Sequence, residues 1–227
     1  MNLFDIMGPI MIGPSSSHTA GAARIGRVAR SLLGEEPVEA ELLLHGSFAS
    51  TGKGHGTHQA LIAGLLGQAP DDPRLPDSFR LAEEAGLRFT FGVCNLRDAH
   101  PNSVVLRLTG KRGRKVEVGA SSLGGGRVRV FEVDGMECSF SGELPTLVVH
   151  NTDRPGCVSH VTIILASTGV NVASLQLNRG HRGGMAVMVI ECDKEVPAQV
   201  VREIRALPGI QRVTSYNPER EEEETAE

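Results

Sequence analysis

Apolar residues recur at Ile25, Val28, Ala29, Leu32 and Leu33, the i, i+3, i+4, i+7, i+8 spacing of one helix face. This predicts an amphipathic helix over about 19–33, with Pro14 discouraging helix before it. Val38-Glu39-Ala40-Glu41-Leu42-Leu43-Leu44 alternates and then turns wholly apolar, which reads as a strand running inward. A short helix over 59–66 follows, then Pro70, Pro73 and Pro76 mark a surface connection. Asp77 is placed to cap a further short helix, ended at Gly86. Strand patterns then repeat over 87–91, 104–109, 116–120, 128–133 and 136–140, and Leu123-Gly124-Gly125-Gly126 reads as a hairpin turn. Helices followed by strands predict an α+β domain around a mixed sheet.

The C-terminal third carries a second pattern. A strand begins at Thr146, and a helix follows with Val158, Val161, Leu165 and Ala166 on one face, closed by Gly169. Strands over 170–177 and 185–191 flank the turn His181-Arg182-Gly183-Gly184. A helix over 197–207 stops at Pro208-Gly209, and a last strand runs over 210–216. That order, βαββαβ, is the ferredoxin-like arrangement. The chain thus divides into a domain over 1–140, a linker over 141–145, a second domain over 146–218 and a tail over 219–227.

Composition sharpens this only in places. The 227 residues are 40% hydrophobic, with no Trp, one Tyr and seven Phe, so the core must be aliphatic and alanine-rich. The net charge is -4, and the last nine residues, with six Glu and one Arg, account for it. The rest is nearly neutral and lacks the basic field that nucleic acid demands. That Glu-rich end has too little apolar content to fold and is expected to be solvated. No membrane span and no secretion signal are read in the chain. Cys94, Cys138, Cys157 and Cys192 are far apart and form no CxxC pair, so no local metal motif is supported and reduced thiols in a cytoplasmic protein are expected.

Candidate chemistry concentrates in three polar runs. Gly13-Pro14-Ser15-Ser16-Ser17-His18-Thr19 places four hydroxyls and an imidazole at the start of a helix. Unpaired N–H groups and the positive dipole end there suit a carboxylate or phosphate. One serine would suffice as a cap, so the run reads as a ligand site. The second run, from His45-Gly46-Ser47 through Thr51-Gly52-Lys53-Gly54-His55-Gly56-Thr57-His58, follows the inward strand, where open α/β layers place ligands. His45 and His55 stand out in it, whereas His58 reads as a helix-surface residue. The third, His100-Pro101-Asn102-Ser103, is ordinary turn chemistry that could face the same cleft. Ser121 and Ser122, before the glycines, read mainly as hairpin.

Two resemblances follow from these residues. Asp153-Arg154-Pro155-Gly156, Gly169-Val170-Asn171-Val172-Ala173 and Leu207-Pro208-Gly209-Ile210 resemble an ACT domain, the amino-acid-sensing module of metabolic enzymes. The resemblance implies effector contacts from Asn151, Asp153 and Asn171; serine-sensing relatives carry His at the first position and Asn at the second. It also implies homo-dimerisation through this domain.

Met7-Gly8-Pro9, the GPSSSHT run, His45-Gly46-Ser47, the TGKGHGT run and His100-Pro101-Asn102 resemble the β chain or β domain of the iron–sulfur L-serine dehydratases. This part is also similar to the allosteric substrate-binding domain of some phosphoglycerate dehydrogenases. The dehydratase resemblance implies α,β-elimination of L-serine to pyruvate and ammonia. It further implies a [4Fe-4S] cluster with one open iron position, ligated by cysteines of an α partner. Ser15, Ser16, Ser17 and Thr19 would then grip the substrate carboxylate, joined by Ser47, Thr57 and Asn102. His18, His45 and His55 would set protonation around the substrate. The alternative is a non-catalytic subunit that senses serine or an anion.

Overall fold

The computed structural model describes residues 11–218. Met7-Gly8-Pro9 and the Glu-rich segment lie outside the described residues.

The helix foretold by the 25–33 spacing is α1 (Gly21–Leu33), which buries Ile25, Val28, Ala29, Leu32 and Leu33. Gly34, at φ 70, ends it by returning its N–H to Arg30 O. The chain then enters β1 (Pro37–His45), whose Ala40, Leu42 and Leu44 face the core while Glu39 points outward. A crossover through α2 (Gly46–Ser50), α3 (Thr57–Leu65) and α4 (Ser78–Glu84) leads to β2 (Arg88–Val93), parallel to β1. The antiparallel strands β3 (Asn102–Gly110), β4 (Lys115–Gly124), β5 (Arg127–Val133) and β6 (Met136–Phe140) complete a mixed sheet in the order β2-β1-β3-β4-β5-β6.

Helices α1 and α3 cross at glycines. A Cβ on Gly26 would sit 2.4 Å from Leu61 O, and one on Gly64 would sit 2.0 Å from Ala23 O. Backbone therefore meets backbone, which only hydrogen at Cα allows. The crossing also brings together the first two polar runs, which lie at the N-terminal ends of these two helices.

The second unit has the foreseen βαββαβ order: β7 (Thr146–Thr152), α5 (Cys157–Ser167), β8 (Val172–Arg179), β9 (Met185–Cys192), α6 (Ala198–Arg205) and β10 (Ile210–Tyr216). Its sheet order is β10-β7-β9-β8, antiparallel throughout. Leu147, Val149, Met188 and Ile190 belong to a core shared with Val161 and Leu165 of α5 and Val200, Val201 and Ile204 of α6. Val148, Val187, Val189 and Tyr216 instead join the core built around α1 and the larger sheet. The smaller sheet thus packs on both faces at its centre, where β7 and β9 are buried at nearly every position, while the outer strands β8 and β10 remain partly exposed.

A polar clasp reinforces this junction. Asp134, at φ 50 in the β5–β6 turn, accepts from Glu117 N at 2.9 Å through Oδ1. Its Oδ2 lies 2.7 Å from His150 Nε2 on β7 and pairs with Arg212 Nη2 on β10. Burial alone would raise the Asp134 carboxyl, but the His150 hydrogen bond, the Glu117 amide and the Arg212 charge together hold it below the ordinary carboxylate range.

Three local expectations are corrected. Asp77 makes no side-chain cap; it ends a short 3₁₀ turn, Leu75–Asp77, and pairs with Arg80 at 3.5 Å. On α5 the buried stripe is Cys157, Val161 and Leu165, whereas Val158 and Ala166 are exposed. His58 is not a surface residue: it is half-buried edge-on to Phe91, with ring centroids 4.3 Å apart. Among the described residues no helix is long and apolar enough to cross a membrane.

Candidate active site

The seryl run forms a wide helical turn, Ser16–Ala20, in which Gly21 N–H returns to Ser16 O. Ser15 is extended (φ -146) and is the cap: its Oγ accepts from His18 N at 3.1 Å and its carbonyl from Thr19 N at 2.8 Å. Gly13 permits the approach, since a Cβ there would lie 2.5 Å from the Thr19 methyl. The turn carries His18 toward α2. His18 Nε2 lies 3.2 Å from Ser47 Oγ and 3.1 Å from Thr51 Oγ1, and those two hydroxyls are 3.1 Å apart. Ser47 and Thr51 are four residues apart, so one helical turn presents both to the imidazole. The His55 ring stands 5.0 Å from that of His18, and Phe48 packs edge-on at 5.3 Å. Partial burial, and then the neighbouring His55, lower the His18 pKa. His18 is therefore neutral near pH 7 and able to take a proton.

The third run supports this cluster from behind. Pro101 O accepts Ser47 N at 2.8 Å, capping the first turn of α2, and Gly46 (φ 56) lets the two backbones touch. Asn102 bridges to Gly46 through backbone. Ser103 Oγ donates to His100 O at 2.6 Å and lies 2.8 Å from Ser121 Oγ on β4, so the loop is pinned to the sheet.

Not every expected residue joins in. The imidazole of His45 is held by Leu96 N, which donates to Nδ1 at 3.2 Å. That bond leaves the neutral ring with its proton on Nε2. Thr19 is buried and its hydroxyl donates to His55 O at 3.2 Å, so it ties the first two runs together instead of facing a ligand. Thr57 is also buried beneath Gly52, and its Oγ1 has no protein partner. Thr51 and the β4–β5 hairpin are the additions: Gly125 N donates to Ser16 Oγ at 3.3 Å. The Ser47/Thr51 spacing was the available signal for the first; Ser121, Ser122 and the glycines after them were the signal for the second, and they read mainly as a hairpin.

The cluster opens at the surface, with Thr51, Lys53 and His55 exposed. A groove of about 720 Å³ lies elsewhere, on the outer face of the larger sheet, among Glu39, Arg88, Arg107 and Glu117 and it contains none of these histidines.

Among the described residues no three His, Cys, Asp or Glu side chains stand together as a metal site. Burial pushes the Cys138 thiol up to about 12 and the Cys192 thiol up to about 11, which opposes the thiolate form a cluster needs. These cysteines do not fit an iron–sulfur cluster.

The three proposed effector contacts separate in this chain. Asn151 is buried, with Nδ2 donating to Thr152 O at 2.9 Å, and Asp153 accepts from Arg179 and from Gly183 N, each at 2.9 Å. Both sit at the end of the sheet where Thr152 pairs with Met185. Asn171 donates to Asp193 at the other end, beside the Val172–Cys192 pair.

The serine dehydratase beta chain family matches residues 2–85, and the ACT domain family matches residues 146–209. A probable L-serine dehydratase beta chain of Bacillus subtilis is 41% identical over 213 residues, covering 94% of this chain and 96% of that one. The L-serine dehydratase beta chain of Peptoniphilus asaccharolyticus is 39% identical over 213 residues, covering 93% and 95%. A D-3-phosphoglycerate dehydrogenase of Methanocaldococcus jannaschii is 39% identical over 88 residues, 39% of this chain and 17% of that one.

Proposed function

We propose, from the premise that this chain belongs to the L-serine dehydratase beta-chain family, that its three polar runs hold L-serine for α,β-elimination at a junction with an α partner. The observation that carries this is the imidazole of His18, neutral and flanked by two hydroxyls, on the same turn as Ser15, Ser16 and Ser17. In this reading the substrate carboxylate sits at the N-terminal N–H groups and hydroxyls of Ser16 and Ser17. His18 moves a proton at Nε2, relayed or steadied by Ser47 and Thr51. His55 tunes His18, and His45 offers Nε2–H as a donor. The [4Fe-4S] cluster of the family reading is assigned to cysteines of the α partner, and the complex to the cytoplasm. Residues 1–140 then bear the site and 146–218 form the ACT module. The exposure of Thr51, Lys53 and His55 supports a site completed by another chain.

The test is the pH dependence of pyruvate formation by the co-expressed α/β complex. Because His18 acts in its neutral form and its pKa lies below 6.5, kcat/KM should fall only on the acid side of that value. His55→Gln removes a charge that opposes His18 protonation, so the acid limb should move to higher pH. A limb that stays put, or moves down, contradicts His18 as the titrating group. Failure of any assembled complex to turn over L-serine would favour the sensing-subunit alternative.

The ACT module is read as a dimerisation surface. Strand β8 is the edge of its sheet and exposes Leu177. Within one chain Asn171 cannot meet Asn151 and Asp153, whereas an antiparallel β8–β8 pairing brings the opposite ends of two sheets together. Sedimentation of the purified chain should give a dimer that Leu177→Lys weakens; a monomer at tens of micromolar protein contradicts the pairing.

A further inference from the structure

We propose that the β4–β5 hairpin tip, Leu123-Gly124-Gly125-Gly126, is a positioning element for the substrate carboxylate, aiming the Ser16 hydroxyl through Gly125 N–H and anchored to α1 by Arg24. The inference rests on the carboxylate reading above and names residues outside it.

The tip is built for placement. Gly124, Gly125 and Gly126 have φ values of 90, 63 and 75, a run of left-handed conformations that other residues resist. The result is a backbone N–H at Gly125 pointed at Ser16 Oγ, 3.3 Å away. A hydroxyl has one proton and two lone pairs. With an incoming N–H on one lone pair, Ser16 can turn its proton to an acceptor such as a carboxylate, and the Gly125 amide biases the direction in which that proton is offered.

The rest of β4 fits closely against the same turn. A Cβ on Gly21 would fall 1.9 Å from Ser122 Oγ, so the strand end and the seryl turn are in direct contact. Ser17 Oγ lies 3.4 Å from where a Cβ on Gly124 would be, so the tip also borders the second hydroxyl. The tip itself has little else to hold it: Gly125 is exposed, and a side chain there would meet nothing within 4 Å. Arg24, half-buried on α1, supplies the anchor by donating from Nη1 to Gly126 O at 3.3 Å. The sequence Arg24 to Gly126, Gly125 to Ser16 is therefore a closed brace that begins and ends on the same helical segment.

Steady-state kinetics of the assembled α/β complex with L-serine test this. Ser16→Ala should raise KM about 10-fold or more, the range for a lost hydrogen bond to a charged group. Arg24→Gln should raise KM roughly fivefold with kcat within about twofold, since it loosens ground-state and transition-state binding alike. Its acid limb should not move, and Arg24→Lys, which keeps a donor, should restore KM. Because Arg24 acts through Ser16, the double variant should be no worse than Ser16→Ala alone. Effects that multiply, or an unchanged KM in Arg24→Gln, overturn the brace while leaving the carboxylate site standing. An unchanged KM in Ser16→Ala overturns the carboxylate site itself. Should Arg24→Gln fail to assemble, Gly125→Val decides in its place: its side chain has open space, but its backbone resists φ 63, and it should show the same KM rise.

Discussion

In the assembled α/β complex, His18→Ala lowers kcat/KM for L-serine by about 10²–10⁴, the span that a positioned acid–base group contributes. The expectation follows from contacts. His18 Nε2 is the one ring nitrogen that meets both Ser47 and Thr51, and the ring is also packed against Phe48 and His55. Its pKa is lowered mainly by burial, so at neutral pH the ring carries no charge and can accept the proton that elimination removes. The loss should appear in turnover with little change in melting temperature, because His18 is only partly buried and its own amide remains capped by Ser15. Pyruvate release measured with lactate dehydrogenase, alongside a thermal melt, checks both halves. Activity within threefold of wild type in a well-folded variant removes His18 from the chemistry.

Gly64→Val has the largest expected effect on stability. The added Cβ alone would fall 2.0 Å from Ala23 O and 2.9 Å from Arg27 N, both backbone atoms of α1. No rotamer relieves that overlap, so α1 and α3 must separate, at a cost of about 3 kcal/mol or more. For a chain of this size that is roughly 6–12 °C in melting temperature. Gly113→Ala is the contrast: its φ of 81 is unfavourable, yet nothing lies within 4 Å, and about 1 kcal/mol is expected. A Gly64→Val protein that melts with wild type would mean the helices do not cross this closely. Activity should suffer as well, because the crossing sets how the seryl turn on α1 meets the loop before α3, where Thr19 binds His55 O.

Much of this architecture was legible in the chain. The 25–33 spacing gave α1, and the turn residues with the apolar runs between them gave the βαββαβ order of elements in the second unit, because both are local signals. The candidate site was legible as three separate runs, and the structure joins His18 to Ser47 and His55 across two of them. What escaped reading depends on contacts between distant segments. That Val148, Val187 and Val189 join the core of the larger unit was not readable, since nothing local says which distant element packs on their face. Thr19 and Thr57 looked like ligands because hydroxyls in a polar run give no hint of which are buried. Asn171 could be matched by motif, but only strand register shows that it lies at the other end of the sheet from Asn151. The stripe on α5 was misjudged at Val158 and Ala166 because most positions of that helix are apolar or small.

The packing of Tyr216 and Val28 around Gly142, where an added Cβ would lie 3.6 Å and 3.4 Å from them, puts the C-terminal strand on the back of α1. The front of that same rod, about 20 Å long by its 13 residues, is the seryl turn. The proposed site and the ACT sheet therefore both rest on α1. If the ACT unit binds an effector that tilts its sheet, the proposed substrate seat would tilt with it, and by reciprocity a filled seat would change the affinity for that effector by the same factor.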